Sequence, residues 1–438
     1  MDRASQLRAY MNGYLVGTLQ QTASGGLEFH YDREWLDSSV ARPISLSLPL
    51  TTQTYRGSTV IDFFDNLLPE ASPIRTRIRD LLSASSTGTF DLLSAVGGDC
   101  VGALQLLPPN RKPDDTQRSK PLSETEIAQR LRNIRTDPMG MRKEEDFRIS
   151  LAGVQSKTAL LRQESQWHLP LGSTPTSHIY KLQIGQQDAF DFDLSQSVEN
   201  EFLCSRILRS FGLPAAGSEI ADFDGIRALI VERFDRKLDN ATGRLLRLPQ
   251  EDLCQALGLP ASRKYQESGG PDMARIMDFL LSSENAAEDR RNFMKAQLLF
   301  WMLAAIDGHS KNYSIFLGYQ GRYRLAPLYD VISVYPVASA NFPRQKWKMA
   351  LSVRGKKRNH YRWDRIAPRH WLHTAKFCRY DDREMKRTLE EVADTCEDAL
   401  RMATTRLPAG FPDAVVESIV GGVRKARERL TMGGKTDT

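Results

Sequence analysis

A cluster of polar residues in the stretch AIDGHSKNYSIFL, residues 305–317, has the types and spacing needed for phosphoryl transfer. Asp307 and Asn312 are separated by four residues, in the pattern D-x-x-x-x-N. A carboxylate can accept the proton of an attacking hydroxyl, and an amide oxygen is a hard ligand that suits Mg²⁺. Asp330, in YRLAPLYDVIS, offers a second carboxylate for the metal, and Lys181, in IYKL, offers an ammonium group for nucleotide phosphates. The pattern predicts a magnesium-dependent kinase site.

Each part of this pattern also has a simpler structural interpretation. A D-x-x-x-x-N match is common in loops, where Asp and Asn accept hydrogen bonds from backbone amides. The segment ISLAGVQSKTALL has one glycine, Gly153, and matches neither a Walker A nor a G-x-G-x-x-G loop, so its spacing alone favours an ordinary hairpin. Lys157 is then a surface charge, Ser150 a strand serine and His309 a hydrogen-bonded loop histidine. The kinase interpretation therefore depends on the elements around the pattern.

Those elements predict an α+β fold. RAYMNGYLVGTLQQ has an Asn-Gly turn between apolar stretches, which predicts a hairpin, and ARPISLSLPL alternates like an edge strand. FRISLAGVQSKTALLRQ, SHIYKLQI and ALIVERFDR are strand-like, and we expect Asp330 at the end of a further short strand. SVENEFLCSRILRSFG is helical, with Gly212 as its C-terminal cap. Beyond Arg236 helical patterns dominate, so a strand-rich half precedes a helix-rich half, with a cleft expected between them.

The composition predicts two or three folded domains and excludes several classes of protein. The chain has 438 residues, of which 41% are hydrophobic and 26% charged, enough for substantial cores. Its five scattered cysteines include no C-x-x-C pair, which argues against a disulfide framework or a zinc site and for a reducing compartment. The N-terminus lacks a signal-peptide core, and the longest apolar run, residues 298–306, is about half of a membrane span. We expect a cytoplasmic protein without a membrane partner.

The positive charge of the chain is concentrated in residues 344–369. Ten Lys or Arg and one acidic residue, Asp364, give this segment a charge of +9 in a chain of net charge +6, which leaves −3 for the rest. Such a block is often a solvated face. Interleaved aromatic residues, Trp347 and Trp363 among them, favour a surface that binds nucleic acid or phosphate.

Ordered blocks along nearly the whole chain resemble the HipA family, the serine/threonine-kinase toxins of bacterial toxin–antitoxin pairs. The blocks are ARPISLSLPL, FFDNLLP, SLAGVQSKTALL, TPTSHIYKLQIG, DLSQSVENEF, VERFDR, RLPQEDLCQALGLP, KYQESGGPDMARIM, DGHSKNYSIFL, YRLAPLYDVIS and APRHWLHTAK. The resemblance implies a protein-kinase-like two-lobed fold. It places an added N-terminal subdomain at residues 1–108, a kinase N-lobe with the ATP loop at 123–236, and a helical C-lobe at 237–432.

The resemblance also implies a role for each candidate site residue. Asp307 is then the catalytic base, Asn312 and Asp330 are the magnesium ligands, and Ser150 is a self-phosphorylation site. Two residues of TAKFCR, Lys376 and Arg379, are expected to contact DNA. The expected ATP-binding residues are Ala152, Gly153, Val154, Gln155, Ser156, Lys157, Lys181, Glu232, Arg233, Phe234, His309, Lys311, Asn312, Tyr329 and Asp330.

The function implied by the resemblance is a toxin kinase that uses ATP and Mg²⁺. Its expected target is a serine of glutamyl-tRNA synthetase, whose modification halts translation and induces dormancy and persistence. Its expected partner is a dimeric helix-turn-helix antitoxin of the HipB type, with which it acts as a corepressor on operator DNA. Ordinary protein kinases have Lys at the position of His309, and their Asp-Phe-Gly is here Asp330-Val331-Ile332. A catalytically weak, nucleotide-binding corepressor and a small-molecule phosphotransferase remain open alternatives.

Overall fold

The computed structural model describes residues 5–114, 116–187, 192–339 and 341–432. Its strands are β1 (Gln6–Met11), β2 (Tyr14–Gln21), β3 (Leu27–Tyr31), β4 (Tyr55–Arg56), β5 (Leu104–Leu107), β6 (Arg118–Pro121), β7 (Lys157–Gln163), β8 (Gln166–Leu171), β9 (His178–Leu182), β10 (Gly185–Gln187), β11 (Phe192–Leu194), β12 (Ser218–Phe223), β13 (Ile226–Glu232), β14 (Arg236–Asp239), β15 (Arg244–Arg247), β16 (Gln250–Asp252), β17 (Ser314–Leu317), β18 (Tyr323–Leu325), β19 (Lys348–Arg354) and β20 (Asn359–Arg362). Its helices are α1 (Arg33–Leu36), α2 (Ser58–Asp65), α3 (Ser72–Leu82), α4 (Thr89–Val96), α5 (Glu124–Arg132), α6 (Ser197–Ser210), α7 (Leu253–Ala256), α8 (Met273–Phe279), α9 (Ala286–Met302), α10 (Pro368–Phe377), α11 (Asp382–Thr404) and α12 (Asp413–Met432).

The chain divides into two compact units. The first unit comprises Met1–Leu182, Ala221–Ala261 and Ser314–Tyr323, and the second comprises Gln183–Ile220, Ser262–Tyr313 and Arg324–Thr438. Sheets dominate the first unit and helices the second. The predicted N-terminal subdomain, residues 1–108, therefore shares one compact unit with the predicted ATP loop.

An antiparallel sheet near the start of the first unit has the strand order β4-β3-β2-β1-β5. Its first hairpin confirms the predicted Asn-Gly turn, because Asn12 and Gly13 both have positive φ, 48° and 92°. Two-residue hairpin turns need this conformation to match the twist of their strands. One face of the sheet is buried against α2, where the rings of Phe29 and Phe64 lie 5.8 Å apart.

A second sheet, of order β12-β13-β9-β7-β8-β6, carries both lysines of the predicted phosphate site. Antiparallel pairing of β7 with β9 sets Lys157 directly opposite Lys181, so the two side chains lie on the same face. The strand predicted over FRISLAGVQSKTALLRQ is only partly correct, because β7 begins at Lys157. The preceding residues form a loop, in which Gly153 has a φ of 103°.

The edge strand predicted over ARPISLSLPL is wrong. These residues form turns, with one isolated bridge between Ser45 and Leu48. The carboxyl group of Glu251 holds the loop instead: it accepts from the backbone N–H of Leu46 at 2.8 Å and from the hydroxyl of Ser45 at 2.5 Å. The alternating pattern therefore belongs to a loop that is anchored from β16.

Helix α9 forms the centre of the second unit. Its residues Phe293–Met302 are all buried, so the helix is surrounded by other elements at this end. Tryptophan rings pack beside it, with Trp301 6.3 Å from Trp363 and 6.2 Å from Trp371. Among the described helices none combines the length and the apolar character that crossing a bilayer requires. All five cysteines are buried, and none of them forms a disulfide bond.

Candidate functional site

The loop that carries Asp307 follows directly from the end of α9. Ala304 adopts a left-handed conformation, with φ of 48°, and the N–H of Ala305 donates to the carbonyl of Phe300 at 2.8 Å, which ends the helix. Gly308 lies so close to Phe300 that an added Cβ would be 2.5 Å from a carbon of the ring. A glycine at this position therefore lets the loop pass close to the buried helix.

Asn312 joins the two segments that carry the predicted acidic residues. Its side-chain Nδ2 donates to the backbone carbonyls of Asp307 and Asp330, at 3.1 and 3.4 Å. Its Oδ1 accepts no hydrogen bond from the residues that the structure describes. The second unit therefore brings together the predicted base and both predicted magnesium ligands.

The predicted position of Asp330 at the end of a strand is wrong. Strand β18 ends at Leu325, and Asp330 lies beyond it with a φ of 56°. Two contacts, one with α6 and one with the residues that follow it, hold the segment of Asp330 instead. Leu328 forms a parallel bridge with the residues that follow α6, and the side chain of Asn200 bonds both backbone groups of Ser333 at 2.8 Å. Long-range hydrogen bonds, rather than a sheet, position this carboxylate.

Tyr265 contacts the predicted base, and the sequence pattern did not identify it. Its hydroxyl donates a 2.7 Å hydrogen bond to Oδ1 of Asp307, across 42 positions of the sequence. Its ring also packs edge-on against His309, with the centroids 5.0 Å apart. No local spacing could indicate this contact, and the one sequence signal is the position of Tyr265 within the block KYQESGGPDMARIM.

His309 is buried beside the predicted base. Burial, together with the positive charges of Lys264 and Lys311, lowers the pKa of its imidazole to about 3. The ring is therefore neutral at physiological pH and cannot act there as a proton donor in its charged form. The hydroxyl of Tyr329 donates to the backbone carbonyl of Lys311 at 2.7 Å, which places Tyr329 against the same loop.

The predicted nucleotide loop, residues 152–157, lies in the first unit. The ammonium group of Lys157 donates to the carbonyl of Ala152 at 2.9 Å and closes the loop around Gly153. The side chain of Gln155 donates to the carbonyl that ends β9, at 2.7 Å. Lys157 and Lys181, directly opposite on neighbouring strands, bring two positive charges to one face of the sheet.

Ser150, the predicted self-phosphorylation site, is fully buried in front of this loop. Its hydroxyl donates to the carbonyl of Leu67 at 2.7 Å, and its N–H donates to the carbonyl of Asp99 at 3.0 Å. The carbonyl of Gly153 in turn accepts from the N–H of Glu70 at 3.2 Å. Modification of the Ser150 hydroxyl therefore requires the segment to leave this position.

The three residues predicted for the adenine side differ in their surroundings. Glu232 is exposed at the end of β13, and Phe234 packs edge-on against a ring of β17 at 5.8 Å. Arg233 is buried, and its guanidinium donates to Asp235 at 2.8 and 3.0 Å and to the hydroxyl of Thr176 at 2.8 Å. The Arg233 side chain is therefore engaged within the protein, and its backbone N–H and carbonyl are bonded to Ser177 and Arg236 at 2.9 and 3.1 Å.

The predicted DNA contacts, Lys376 and Arg379, lie at the C-terminal end of α10. Both side chains are exposed, and Arg379 forms an ion pair with Asp278 at 2.6 Å. The guanidinium of Arg290 donates to the carbonyl of Arg379 at 2.8 Å, which holds this end of the helix. A role for these two residues on DNA stays a prediction.

Comparisons with known proteins match both halves of the chain. The family model described as HipA N-terminal domain matches residues 7–107, and that described as HipA-like C-terminal domain matches residues 149–400. The chain is 34% identical to Y4mE of Sinorhizobium fredii, a protein that is named as a kinase, over 79% of this chain and 80% of that protein. It is 28% identical to the serine/threonine-protein kinase toxin HipA of Shewanella oneidensis, over 75% of each.

A solved structure matches nearly the full length of the chain. It is the toxin–antitoxin complex of HipA, HipB and operator DNA from Shewanella oneidensis, with a TM-score of 0.82 at 24% identity. The match covers 99% of this chain and 100% of that chain. At this level of identity the likeness shows the fold, and it confirms the predicted fold class.

Proposed function

Because the chain belongs to the HipA family of kinase toxins, we propose that it transfers the γ-phosphate of ATP to a serine or threonine of a protein. The observation that carries this proposal is the arrangement in which Asn312 bonds the backbones of both Asp307 and Asp330. The kinase names of the relatives support it.

In the proposed reaction the oxygen of the acceptor hydroxyl bonds to the γ-phosphorus of ATP. The bond between that phosphorus and the bridging oxygen of the β-phosphate breaks, and ADP leaves. Asp307 accepts the proton of the acceptor hydroxyl, while Tyr265 holds the carboxylate through its 2.7 Å hydrogen bond. Lys157 and Lys181 supply positive charge for the phosphates. Positioning and charge neutralisation thus provide most of the rate enhancement.

Asn312 and Asp330 fit the needs of Mg²⁺, which prefers oxygen ligands and binds kinases through one or two side chains, phosphate oxygens and water. The Oδ1 atom of Asn312 has no donor among the described residues, and Asp330 lies in the segment that Asn312 bonds. The described residues contain no cluster of three or more His, Cys, Asp or Glu side chains for a metal. When bound, Mg²⁺ would neutralise charge on the phosphates.

We also propose that Ser150 is modified by the kinase itself. A phosphoryl group would add about −1.5 to −2 charges, which the buried contact with the Leu67 carbonyl cannot accommodate. The phosphorylated segment would then leave its present position and change the nucleotide loop. Mass spectrometry of the purified protein after incubation with ATP measures the modification. Activity that declines while Ser150 stays unmodified would contradict this switch.

The family resemblance points to the acceptor and the partners. Glutamyl-tRNA synthetase is the first acceptor to test, and its modification would inhibit translation and promote dormancy. A HipB-type antitoxin dimer on operator DNA is the proposed partner, with Lys376 and Arg379 as DNA contacts. The basic region 344–379 also favours an alternative, a nucleotide-binding corepressor with little catalysis. Steeply salt-dependent DNA binding by the chain alone, without phosphate transfer, would support that alternative.

The substitution Asp307→Asn tests the kinase proposal. The amide keeps the size of the side chain and an oxygen for Tyr265, but it cannot take the acceptor proton. We expect phosphate transfer to fall about 10²–10⁴-fold, while thermal unfolding is unchanged. The measurement is transfer of label from γ-labelled ATP to purified glutamyl-tRNA synthetase and to the proteins of a bacterial lysate.

The matched control is Asp398→Asn, which makes the same change at an exposed position of α11 and should leave transfer unchanged. Transfer at the normal rate by the Asp307→Asn protein would refute the assignment of the base. Phosphate transfer to a lysate protein but not to the synthetase would support the kinase function and show that its acceptor is a different protein.

A further inference from the structure

A concave surface of the second unit is lined mainly by cations. It lies between β19, β20 and the start of α10, and its charged lining residues are Glu267, Lys348, Arg358, Arg362, Arg365 and Arg369. Five of these six charges are positive. We call this surface the basic pocket.

Acidic neighbours neutralise only part of the basic pocket. Glu267 pairs with Lys348 at 3.0 Å. Asp364 accepts two hydrogen bonds from Arg362, at 2.8 and 3.1 Å. Among the described residues the guanidinium groups of Arg358 and Arg369 have no carboxylate partner. Two exposed, uncompensated guanidinium groups therefore face the same concavity.

Two stacked imidazoles also line the basic pocket. The rings of His360 and His370 are 4.1 Å apart and nearly parallel, at 14°. Burial lowers the pKa of both, to about 4 for His370, and the charges of Arg358 and Arg369 lower that of His360 further. The stack therefore stays neutral at physiological pH, and the positive potential of the pocket comes from the guanidinium groups.

The basic pocket is connected to the candidate base by three consecutive residues. Tyr265 donates to the carboxylate of Asp307, and Glu267 pairs with Lys348 in the wall of the pocket. Between them, the side-chain oxygen of Gln266 accepts from the N–H and the hydroxyl of Ser352, at 2.8 and 3.1 Å. A further backbone bond joins β19 to the residue before Asp307, at 2.9 Å. A ligand in the basic pocket would therefore contact the elements that position Asp307.

We propose that the basic pocket binds an acidic segment of the acceptor protein, with Arg358 and Arg369 as its main contacts. The proposal rests on the proposed kinase function, because the connection to Asp307 makes the pocket part of acceptor recognition. Guanidinium groups bind carboxylates in a bidentate manner, which suits glutamate or aspartate side chains. The cations line a concavity that the side chains of an extended peptide can enter, whereas a DNA duplex would contact projecting cations. The predicted DNA contacts lie at the other end of α10, about 15 Å away along a ten-residue helix.

Binding of labelled peptides to the full-length protein tests this pocket. One fluorescein-labelled peptide has a serine flanked by four glutamates, and its counterpart has glutamine at those four positions. In fluorescence anisotropy we expect the glutamate peptide to bind at least about tenfold more tightly, since two charge-assisted contacts are lost in the counterpart. We expect the double variant Arg358→Ala/Arg369→Ala to lose at least about tenfold of that affinity.

The control variant Lys386→Ala/Lys425→Ala removes two positive charges from exposed positions of α11 and α12 and should bind within about twofold of the wild type. Equal affinity for both peptides, or full affinity in the Arg358→Ala/Arg369→Ala variant, would overturn the proposal. So would a DNA duplex that binds and loses affinity in this variant while the glutamate peptide does not.

The binding assay separates this proposal from that of the kinase. The Asp307→Asn protein should bind the glutamate peptide as the wild type does. Peptide binding without phosphate transfer to any acceptor would leave the pocket in place and remove the kinase function. Phosphate transfer without selective binding of the glutamate peptide would contradict the role of the pocket and leave the kinase function in place.

Discussion

At the scale of single residues, the candidate base depends on a neighbour from a distant part of the chain. The carboxylate of Asp307 accepts a 2.7 Å hydrogen bond from Tyr265. This bond orients one oxygen of the carboxylate. His309, which is neutral because its pKa is about 3, packs against the same tyrosine. We therefore interpret Tyr265 as a positioning residue for the base.

The substitution Tyr265→Phe should lower kcat while leaving the KM for ATP nearly unchanged. It keeps the ring against His309 and removes only the hydroxyl. A hydrogen bond to a charged group contributes about 1.5–3 kcal/mol, so we expect kcat to fall roughly tenfold to a hundredfold. Steady-state kinetics with the identified acceptor measure this. Tyr319→Phe, at an exposed ring of the first unit, is the matched control, and an unchanged kcat in Tyr265→Phe would contradict the role.

At the scale of elements, a buried carboxyl holds a loop where the sequence pattern predicts a strand. Glu251 of β16 accepts from Ser45 and Leu46. Burial raises the pKa of Glu251 to about 8, although these two hydrogen bonds lower it. The folded state therefore binds a proton that the unfolded state has released, over the range from the ordinary pKa of 4.5 to about 8.

This carboxyl should make the stability of the protein depend on pH. Its contribution is full below pH 4.5 and is lost as the pH rises through about 8, with a slope of up to about 1.4 kcal/mol per pH unit. Glu251→Gln should remove this slope, as measured by urea unfolding between pH 5 and pH 8. Glu417→Gln, at an exposed position of α12, should keep it. If the free energies of unfolding of wild type and Glu251→Gln differed by a constant amount across this pH range, the titration of Glu251 would be contradicted.

At the scale of the whole molecule, the first unit contains a buried ionic network that joins distant segments. Asp99 lies after α4 and pairs with Arg236 and Arg247 at 2.8 Å and with Arg233 at 3.5 Å. Asp235 pairs with Arg233 at 2.8 Å. Burial would raise the pKa of the Asp99 carboxyl, but the three guanidinium groups hold it well below its ordinary range. The network therefore stays charged at physiological pH.

Asp99→Asn should destabilise the protein strongly, since it leaves three buried guanidinium groups with a single buried carboxylate, that of Asp235. Removing one partner of a buried pair costs about 3–5 kcal/mol. The loss of stability is full at neutral pH and becomes smaller as the pH falls below 3.8, the ordinary pKa of the carboxyl. Urea unfolding measures it. Asp222→Asn, which breaks an exposed pair with Arg227, should cost less than about 1 kcal/mol. Equal costs in the two variants would contradict this account.

Much of the local structure could be predicted from the sequence. The Asn12-Gly13 hairpin, the helix that ends before Gly212 and the long helices beyond Arg236 follow from the backbone preferences of nearby residues. The same preferences failed at ARPISLSLPL, because an alternating pattern does not distinguish a strand from a loop that a distant side chain anchors. Glu251 is 206 positions from Ser45.

The sequence by itself determined the family and the chemical types at the candidate site, since a carboxylate and an amide with four residues between them are present before any folding. Only the tertiary structure decided that Tyr265 reaches Asp307, and that Asn312 bonds the segment of Asp330. It also decided that Ser150 is buried. These contacts join residues far apart in the chain, and the packing that creates them has no signature in local spacing.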